Sequence, residues 1–269
     1  MAAVEITIAD HIAHVRLNRP DKHNAIDGEM MSDLIDGAAQ LAANPSVRAV
    51  VLSGNGPSFC SGLDMANFAE MASGDLSAET ESVQAAYADL SPGGANRAQQ
   101  VGWAWHELQV PVIAALQGHV LGGGLNLALG ADVRIVAPDA KVGFVEVTWG
   151  LIPDMSATQS LRRLVGADRA KHLMWAFQRL TGTEALEWGL ATEVSGDPLG
   201  RATELAVHLA QLNPAAVRAV KAVVDDAVGL DSAAGLALEA QRSSALLGSP
   251  DQVEAVMARL EGRSPDFQG

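Results

Sequence analysis

The first apolar positions of the chain fall into two patterns. Residues 4 to 8 and 12 to 17 alternate apolar and polar side chains and predict two β-strands, with Asp10-His11 as the turn of a hairpin. Between residues 26 and 41 the apolar positions recur at helical spacing, and the pattern ends at Asn44-Pro45. The chain therefore begins with a hairpin followed by an amphipathic helix.

Strand and helix patterns then alternate up to about residue 198. The predicted strands are residues 47 to 52 (VRAVVL), 112 to 116, 133 to 136 and 142 to 145, and the predicted helices include 99 to 108 and 158 to 165. This alternation favours an α/β fold. Beyond residue 199 only helical patterns remain, at 202 to 212, 215 to 228, 233 to 247 and 252 to 260. We therefore predict a binding and catalytic core at 1–198 and a helical region at 199–269 that packs on a partner subunit.

Residues 69 to 98 differ from their surroundings. The segment is acidic, rich in serine and glycine, and weakly periodic. Such a segment is typical of a mobile flap or a partly helical insertion that governs substrate selectivity, and equally of a tolerated surface loop.

Composition and charge narrow the classes of function. The chain has 269 residues, of which 48% are hydrophobic and 19% charged, as in globular proteins. Its formal net charge of -14 argues against nucleic-acid and anionic-membrane surfaces, whose phosphates it would repel. A single cysteine excludes internal disulfides, and the N-terminus has no leader pattern, so we expect a cytoplasmic protein. No apolar stretch is long enough for a membrane span.

The triplet Gly122-Gly123-Gly124 precedes the apolar run LNLAL. A helix N-terminus presents N–H groups without intrahelical partners, and bare glycines let a ligand approach them, so the triplet predicts an anion or oxyanion cradle. Close packing of the helix on a strand would select glycine too. A Walker loop would need Lys-Ser or Lys-Thr after the last glycine, and the spacing of a dinucleotide fingerprint is also missing.

A second loop, SFCSGLD at residues 58 to 64, follows the strand predicted at 47 to 52. The glycine before Leu63 would let the Leu63 N–H converge with that of Gly123. Two such donors form an oxyanion hole, in which one donor stabilises a transition state by about 3 to 4 kcal/mol. Cys60 has no basic neighbour in sequence, so a small buried residue is favoured over a nucleophile.

Six motifs in order resemble the enoyl-CoA hydratase/isomerase (crotonase) superfamily over nearly the whole chain: NRPDKHNAI, FCSGLD, QGHVLGGGLNLALGADVRI, FVEVTWGLIPD, TGTEALEWGLATEV and NPAAVRAVK. The resemblance implies the ClpP-like crotonase fold, a repeated β-β-α superhelix with a C-terminal helical trimerisation region. It further implies homotrimers or homohexamers.

The resemblance also implies an acyl-CoA thioester as substrate, with coenzyme A as part of it and no prosthetic group. Leu63 and Gly123 match the amides that hold the thioester oxygen as an enolate forms. The positions that match coenzyme A contacts are Lys22, His23, Ala25, Ser61, Leu63, Asp64, Met65, Gly122 and Arg263. For Lys22 and Arg263 the alternative is a solvated surface charge with no ligand. The seven histidines show no ligand spacing, so no metal site is expected.

The acids determine which reaction the resemblance implies. Hydratases of this family carry glutamates at the positions of Asn126 and Glu146, and an amide cannot exchange protons near neutral pH. The apolar neighbours of Glu146 predict a raised pKa suited to general acid/base catalysis; the alternative is an exposed glutamate at a strand end. Asp154 matches an aspartate of dienoyl-CoA isomerases, or it caps the helix that begins near Ser156. Those isomerases carry a further aspartate where Asn126 stands.

We therefore expect an acyl-CoA isomerase in which Glu146 moves one proton and Asp154 the other. One alternative is a 2-enoyl-CoA hydratase in which Asn126 and Glu146 position the water. Another is an acyl-CoA-binding scaffold with little catalysis, or a family member diverted to RNA binding, which the net charge of -14 disfavours.

Overall fold

A computed structural model describes residues 2–64, 90–176 and 178–268. Most of the insertion predicted at residues 69 to 98, and with it the predicted ligand contact Met65, lies outside the described residues. The part from Leu90 onward leads directly into a helix.

Eight strands and ten α-helices are described. The strands are β1 (Val4–Ala9), β2 (Ile12–Leu17), β3 (Ala49–Gly54), β4 (Val112–Leu116), β5 (His119–Leu121), β6 (Val133–Val136), β7 (Lys141–Gly143) and β8 (Glu193–Val194). The helices are α1 (Gly28–Ala42), α2 (Arg97–His106), α3 (Gly123–Ala128), α4 (Ala157–Leu164), α5 (Ala167–Trp175), α6 (Gly182–Glu187), α7 (Pro198–Ala210), α8 (Pro214–Ala227), α9 (Ser232–Leu246) and α10 (Pro250–Glu261). Two 3₁₀ turns span Pro20–Lys22 and Glu146–Trp149.

The predicted hairpin is confirmed. β1 and β2 pair antiparallel, with Val4 opposite Leu17, and the turn residues Asp10 and His11 have φ of 48° and 67°. Two successive left-handed residues make a turn whose twist matches that of the flanking strands. The hairpin forms the edge of the main sheet.

The described strands form two sheets. The main sheet has the order β1-β2-β3-β4-β6-β8, with every pair after the hairpin parallel, and β5 and β7 form a second, parallel pair. Along the chain β4, β5 and α3 are followed by β6, β7 and α4, which is the predicted β-β-α repeat. Each repeat adds one strand to each sheet, so the loops that enter α3 and α4 emerge beside the small sheet.

The main sheet is covered on both faces. One face contributes to a large core that includes Trp105, Phe59 and Phe144, each at most 1% exposed. The other face is covered by α7, whose Ala202 and Ala206 pack in one cluster with strand residues. Small residues on α7 let the helix approach the sheet closely.

Helix α7 follows the domain boundary predicted at residue 199, yet its packing makes it part of the core. The helices beyond it behave differently, since α8 and α9 pack mainly on one another and leave apolar side chains such as Val220 and Val224 exposed. The assignment of residues 199–269 to oligomerisation stays a prediction. No helix in the described part of the chain combines the length and apolar character needed to span a membrane.

The glycine packing of α3 makes a stability prediction. A Cβ on Gly124 would lie 2.5 Å from the Cys60 carbonyl oxygen, whereas one on Gly235 in α9 would meet nothing within 4 Å. We expect Gly124→Ala to lower the free energy of unfolding by about 1–3 kcal/mol through overpacking. Gly235→Ala should instead raise it by up to about 1 kcal/mol by restricting the unfolded chain. Urea unfolding at equal protein concentration measures both, and equal stability of the two variants would contradict the packing argument.

Candidate active site

Two backbone amides face one cavity between the loop after β3 and the start of α3. The loop is held against β5 because Cys60 N–H donates to His119 O (2.9 Å) and Leu121 N–H donates to Cys60 O (3.0 Å). Gly62, with φ of 101°, then turns the chain so that Leu63 follows next to Gly123. Within the described residues neither the Leu63 nor the Gly123 N–H donates a hydrogen bond to the protein. The two donors are therefore available to a ligand oxygen, as predicted for an oxyanion hole.

The cavity in front of these amides has a volume of about 210 Å³. Its lining combines the predicted residues Ser61, Leu63, Gly122, Gly123, Glu146 and Asp154 with Leu121, Val145, Thr148, Trp149, Leu151, Ile152, Met155 and Arg179. A mostly apolar cavity with a few converging polar groups is the usual form of a small-molecule site.

Glu146 opens the 3₁₀ turn after β7, and both of its carboxylate oxygens are held. Oε1 accepts from Asn126 Nδ2 at 2.9 Å and Oε2 accepts from Val145 N–H at 2.8 Å. Burial raises the pKa of the Glu146 carboxyl, backbone and Asn126 hydrogen bonds partly counter this, and the negative charge of Asp154 raises it further. The predicted direction of the pKa shift is confirmed, with burial as its main cause.

Asn126 lies behind Glu146 and does not line the cavity. It is 0% exposed, and its amide nitrogen donates to Glu146 and to Gly122 O (2.9 Å) while its oxygen accepts from Ala157 N–H (3.2 Å). Both N–H bonds of the amide are thereby used. This geometry makes Asn126 a residue that positions Glu146. The role expected from the sequence in the hydratase alternative, positioning a water, would require one of these hydrogen bonds to break.

Asp154 shares the cavity with Glu146, and the pKa of Glu146 responds to its charge. The alternative, that Asp154 caps α4, finds no support, because Ser156 occupies the N-cap position and no cap hydrogen bond is made by that residue's side chain. The first amide of α4, at Ala157, is instead bonded by Asn126.

The predicted coenzyme A turn lies directly against the oxyanion loop. Lys22 ends a 3₁₀ turn, and His23 and Asn24 adopt left-handed φ values of 49° and 55°. Ser61 N–H donates to His23 O at 3.0 Å, and the Asn24 amide donates to Ser58 O at 2.8 Å. The structure therefore brings Lys22 and His23 next to Ser61.

Arg19 ties the same two segments together. Its guanidinium forms ion pairs with Asp64 (2.9 Å) and Asp27 (3.0 Å) and donates to the carbonyl oxygen of buried Ala25. Asp64 is 7% exposed, so its carboxylate anchors the loop. Arg19 lies within the motif NRPDKHNAI, and only the fold shows that it contacts Asp64, which lies 45 residues away.

Arg263 lies apart from the other predicted residues. It donates to Glu254 at 2.8 Å and to Glu261 at 2.6 Å, and it does not line the cavity of its own chain. A contact with the site of a neighbouring subunit stays a prediction.

Cys60 is buried, as expected from its sequence context. Burial raises the pKa of its thiol to about 12, so the thiol is protonated at neutral pH. It packs beneath the glycine triplet and is unsuited to nucleophilic chemistry.

Two larger cavities, of about 760 and 590 Å³, lie along α8, and charged groups meet between them. His106, Asp132 and Asp225 there have ligand atoms within 4.8 Å of one another. Protein cations compensate the two acids of this group, since Lys221 Nζ lies 2.9 Å from Asp132 and Arg163 Nη1 lies 3.6 Å from Asp225. The two available amides and the two acids, Glu146 and Asp154, all line the 210 Å³ cavity. The candidate active site is therefore that cavity.

The apolar wall of the cavity was not singled out from the sequence. Trp149, Ile152 and Met155 belong to the segment FVEVTWGLIPDM and lie around the two acids. Arg179 comes from a distant segment, whose neighbour Leu180 pairs with Val142. The apolar residues between Glu146 and Asp154 in the sequence could have indicated this wall. No pattern in the sequence around Arg179 indicated that it lines the cavity.

Comparison with known proteins agrees with the motifs and the site. The family model described as Enoyl-CoA hydratase/isomerase matches residues 7–269. The chain belongs to the enoyl-CoA hydratase/isomerase family. Within this family it is 34% identical to an enoyl-CoA isomerase/hydratase of Mycosarcoma maydis, over 96% of this chain and 93% of that protein. It is 31% identical to the 2,3-dehydroadipyl-CoA hydratase of Escherichia coli K12, over 100% of both chains.

A solved structure of a family member confirms the fold. The enoyl-CoA hydratase of Bacillus anthracis superposes with a TM-score of 0.85 at 29% identity, over 99% of each chain. The predicted crotonase architecture is thereby confirmed, and the protein is an acyl-CoA enzyme of the hydratase/isomerase family.

The raised pKa of Cys60 predicts an inert thiol. With a thiol pKa of about 12, we expect a disulfide reagent at pH 8 to react about a thousandfold more slowly with the native protein than with the urea-unfolded chain. Absorbance of the released thiolate measures the rate. Comparable rates in both states would show that Cys60 is accessible.

Replacing Asn126 should shift the titration of Glu146. Asn126→Asp removes a donor from the Glu146 carboxylate and places a second acid at hydrogen-bond distance, so we expect the pKa of Glu146 to rise further. Asn126→Ala removes only the donor and should give a smaller rise. Carboxyl ¹³C NMR titrations, with Glu146→Gln to identify the signal, measure the shift. An unchanged pKa in Asn126→Asp would contradict the positioning role.

Proposed function

We propose that the protein isomerises a double bond in an enoyl- or dienoyl-CoA. The observation that carries the proposal is that two carboxyl groups, Glu146 and Asp154, line the cavity beside two available amides. A hydratase of this family would be expected to carry a second glutamate at the position of Asn126, and here that side chain is an amide bound within the protein.

The chemistry follows from this arrangement. The thioester oxygen accepts hydrogen bonds from Leu63 N–H and Gly123 N–H, which stabilise the negative charge that develops on it. One carboxylate takes a proton from a carbon of the acyl group, and the C–H electron pair enters the enolate or dienolate. The other carboxyl, protonated, delivers a proton to a different carbon as the enolate collapses. The product is an isomer, and proton exchange with solvent restores both acids.

The raised pKa of Glu146 suits proton transfer to and from the substrate. A carboxyl that titrates closer to neutral pH is a stronger base when ionised and can be regenerated within a catalytic cycle. Asn126 bonds the carboxylate from behind the cavity. Gly122 is needed at the edge of the cavity because its φ is 50° and because a Cβ there would lie 2.9 Å from Val145 Cγ2.

In the same proposal coenzyme A binds along the turn that carries Lys22, His23 and Ala25, and along Ser61 and the loop that follows it. The hydrogen bond from Ser61 N–H to His23 O makes these segments one surface that begins at the oxyanion amides. Membership of the family supports an acyl-CoA substrate. A trimer or hexamer built through the C-terminal helices remains part of the proposal.

Hydration of a 2-enoyl-CoA is the second candidate, because the similar Escherichia coli protein carries that activity in its name. Glu146 would then act on water alone. Asn126 would have to give up a hydrogen bond to Glu146 or Gly122 in order to donate to that water. We therefore expect hydration to be slow.

One assay distinguishes the isomerase from the hydratase. A 3,5-dienoyl-CoA and a 2-enoyl-CoA are offered separately, and the conjugated diene and enoyl chromophores are followed by absorbance. We expect diene formation, reduced about 10²- to 10⁴-fold by either Glu146→Gln or Asp154→Asn, since each removes a general acid or base. Asp139→Asn, an exposed acid outside the cavity, is the matched control and should retain activity.

Two results would overturn the isomerase proposal. Loss of the enoyl chromophore alone, unaffected by Asp154→Asn, would make the protein a hydratase. Full turnover of every active thioester by Glu146→Gln would remove Glu146 from the mechanism.

A further inference from the structure

A further cavity, of about 400 Å³, adjoins the candidate active site. It lies between α2 and the start of α4, and its lining shares Ile152 and Asp154 with the 210 Å³ cavity. Leu151 and Ile152 leave 39% and 70% of their surface exposed beside this junction, so apolar area there is open to a ligand. An acyl group that starts at the oxyanion amides and passes Asp154 would continue into this second space, which we call the distal cavity.

A close contact between α2 and the segment that enters α4 forms the distal cavity. A Cβ on Gly102 would lie 2.7 Å from Ser156 Oγ and 2.8 Å from the Met155 carbonyl oxygen, so glycine lets the two segments meet. Gln99 and Trp103 are four residues apart in α2, which places them on one face of the helix, and both line the cavity. The packing of the two helices therefore fixes the cavity and its lining together.

The lining of the distal cavity is polar but contains no cation among the described residues. Gln99, Thr158 and Gln159 contribute neutral hydrogen-bonding side chains, and the one ionisable group of the lining, Asp154, is an acid. Arg179 lines the 210 Å³ cavity with both acids but does not line the distal cavity. A carboxylate that entered the distal cavity would lose water without gaining a cation, which costs free energy.

The capping box of α2 holds the Gln99 side chain in one orientation. Gln99 Oε1 accepts from Asn96 N–H at 2.9 Å, and Asn96 Oδ1 accepts from Gln99 N–H at 2.9 Å. Within the part of the chain that the structure describes, the Gln99 amide nitrogen makes no hydrogen bond, so it can donate to a ligand. Gln159 Nε2 donates to Thr158 Oγ1 at 3.2 Å, which leaves Gln159 Oε1 as an acceptor.

We propose that the distal cavity binds the far end of the acyl group and selects an uncharged end that carries a hydroxyl over an end that is a carboxylate. A hydroxyl both donates and accepts, so it can use the Gln99 amide nitrogen as a donor and Gln159 Oε1 as an acceptor. Trp103 and Ile152 supply apolar surface for the methylene groups that precede it. The inference rests on the proposed acyl-CoA substrate, but it does not depend on which reaction follows.

Four saturated thioesters test this selection: butyryl-CoA, octanoyl-CoA, 8-hydroxyoctanoyl-CoA and octanedioyl-CoA. All carry the same coenzyme A, and none contains a double bond to isomerise or hydrate, so calorimetric binding constants are independent of turnover. Butyryl-CoA, which has the shortest acyl group, is the reference for binding without the distal cavity. We expect the unmodified protein to bind 8-hydroxyoctanoyl-CoA about two- to tenfold more tightly than octanoyl-CoA, and octanedioyl-CoA about tenfold more weakly than the hydroxy compound.

Two variants change the charge of the distal cavity in opposite directions. Gln159→Arg supplies the missing cation, so we expect it to tighten octanedioyl-CoA about five- to tenfold relative to octanoyl-CoA. Gln99→Glu keeps the acceptor of the capping box but adds a negative charge, so it should weaken octanedioyl-CoA by a similar factor.

Gln40→Arg is the matched control, because it adds the same charge in α1, away from both cavities. It should leave the ratio of octanedioyl-CoA to octanoyl-CoA binding unchanged. The ratio removes any general attraction between an added arginine and coenzyme A, which all four ligands share. Circular dichroism checks that every variant is folded.

Three results would overturn the proposal: equal binding of the three eight-carbon thioesters by the unmodified protein, equal tightening of all four ligands by Gln159→Arg, or no binding of any ligand. A protein that shows the expected selection yet fails the diene assay would keep the role of the distal cavity and lose only the isomerase. A protein that forms the diene but binds the eight-carbon thioesters equally would keep the isomerase and lose only the selection.

Discussion

The close approach of α3 to the loop after β3 is the constraint on which the site depends. A Cβ on Gly124 would lie 2.5 Å from the Cys60 carbonyl oxygen, and a Cβ on Gly62, whose φ is 101°, would lie 3.1 Å from the Leu121 carbonyl oxygen. Only glycine permits such separations between two backbones. Because the backbones meet there, Leu63 N–H and Gly123 N–H face one cavity and have no acceptor in the described part of the chain. The two acids and the apolar wall line the cavity with that pair.

Behind the cavity, one buried amide connects three segments. Asn126 bonds Gly122 at the start of its own helix, Glu146 after β7 and Ala157 at the start of α4. A buried polar side chain costs free energy unless its hydrogen bonds are made, and here three partners satisfy it. An acid at this position would meet Glu146 as a second negative charge. The amide instead donates a hydrogen bond to the Glu146 carboxylate, and the second acid, Asp154, lines the same cavity.

The sequence predicted the parts of this structure that depend on local patterns. Alternation identified β1 and β2, helical spacing identified α1 and the last four helices, and the glycines at 62 and 122 to 124 predicted the paired loops. It could not predict that Asn126 reaches Glu146 and Ala157, which lie 20 and 31 residues away, or that Arg179 joins the cavity. Local patterns also could not show that α7, which follows the boundary predicted at residue 199, packs on the main sheet and so belongs to the core. The family resemblance implied roles for the positions that match the family. The role of a residue that differs from the family, such as Asn126, follows only from its contacts in the fold.

The ion pairs of Arg19 have a consequence for the thermodynamics of recognition. With one guanidinium joined to Asp27, Asp64 and the Ala25 carbonyl, the turn at residues 20 to 25 and the oxyanion loop form a single unit before any ligand arrives. Ordering a loop costs conformational entropy, which is otherwise subtracted from the free energy of association. A surface already organised in this way loses little freedom when it is covered. More of the intrinsic contact energy is then left for distinguishing the transition state from the ground state.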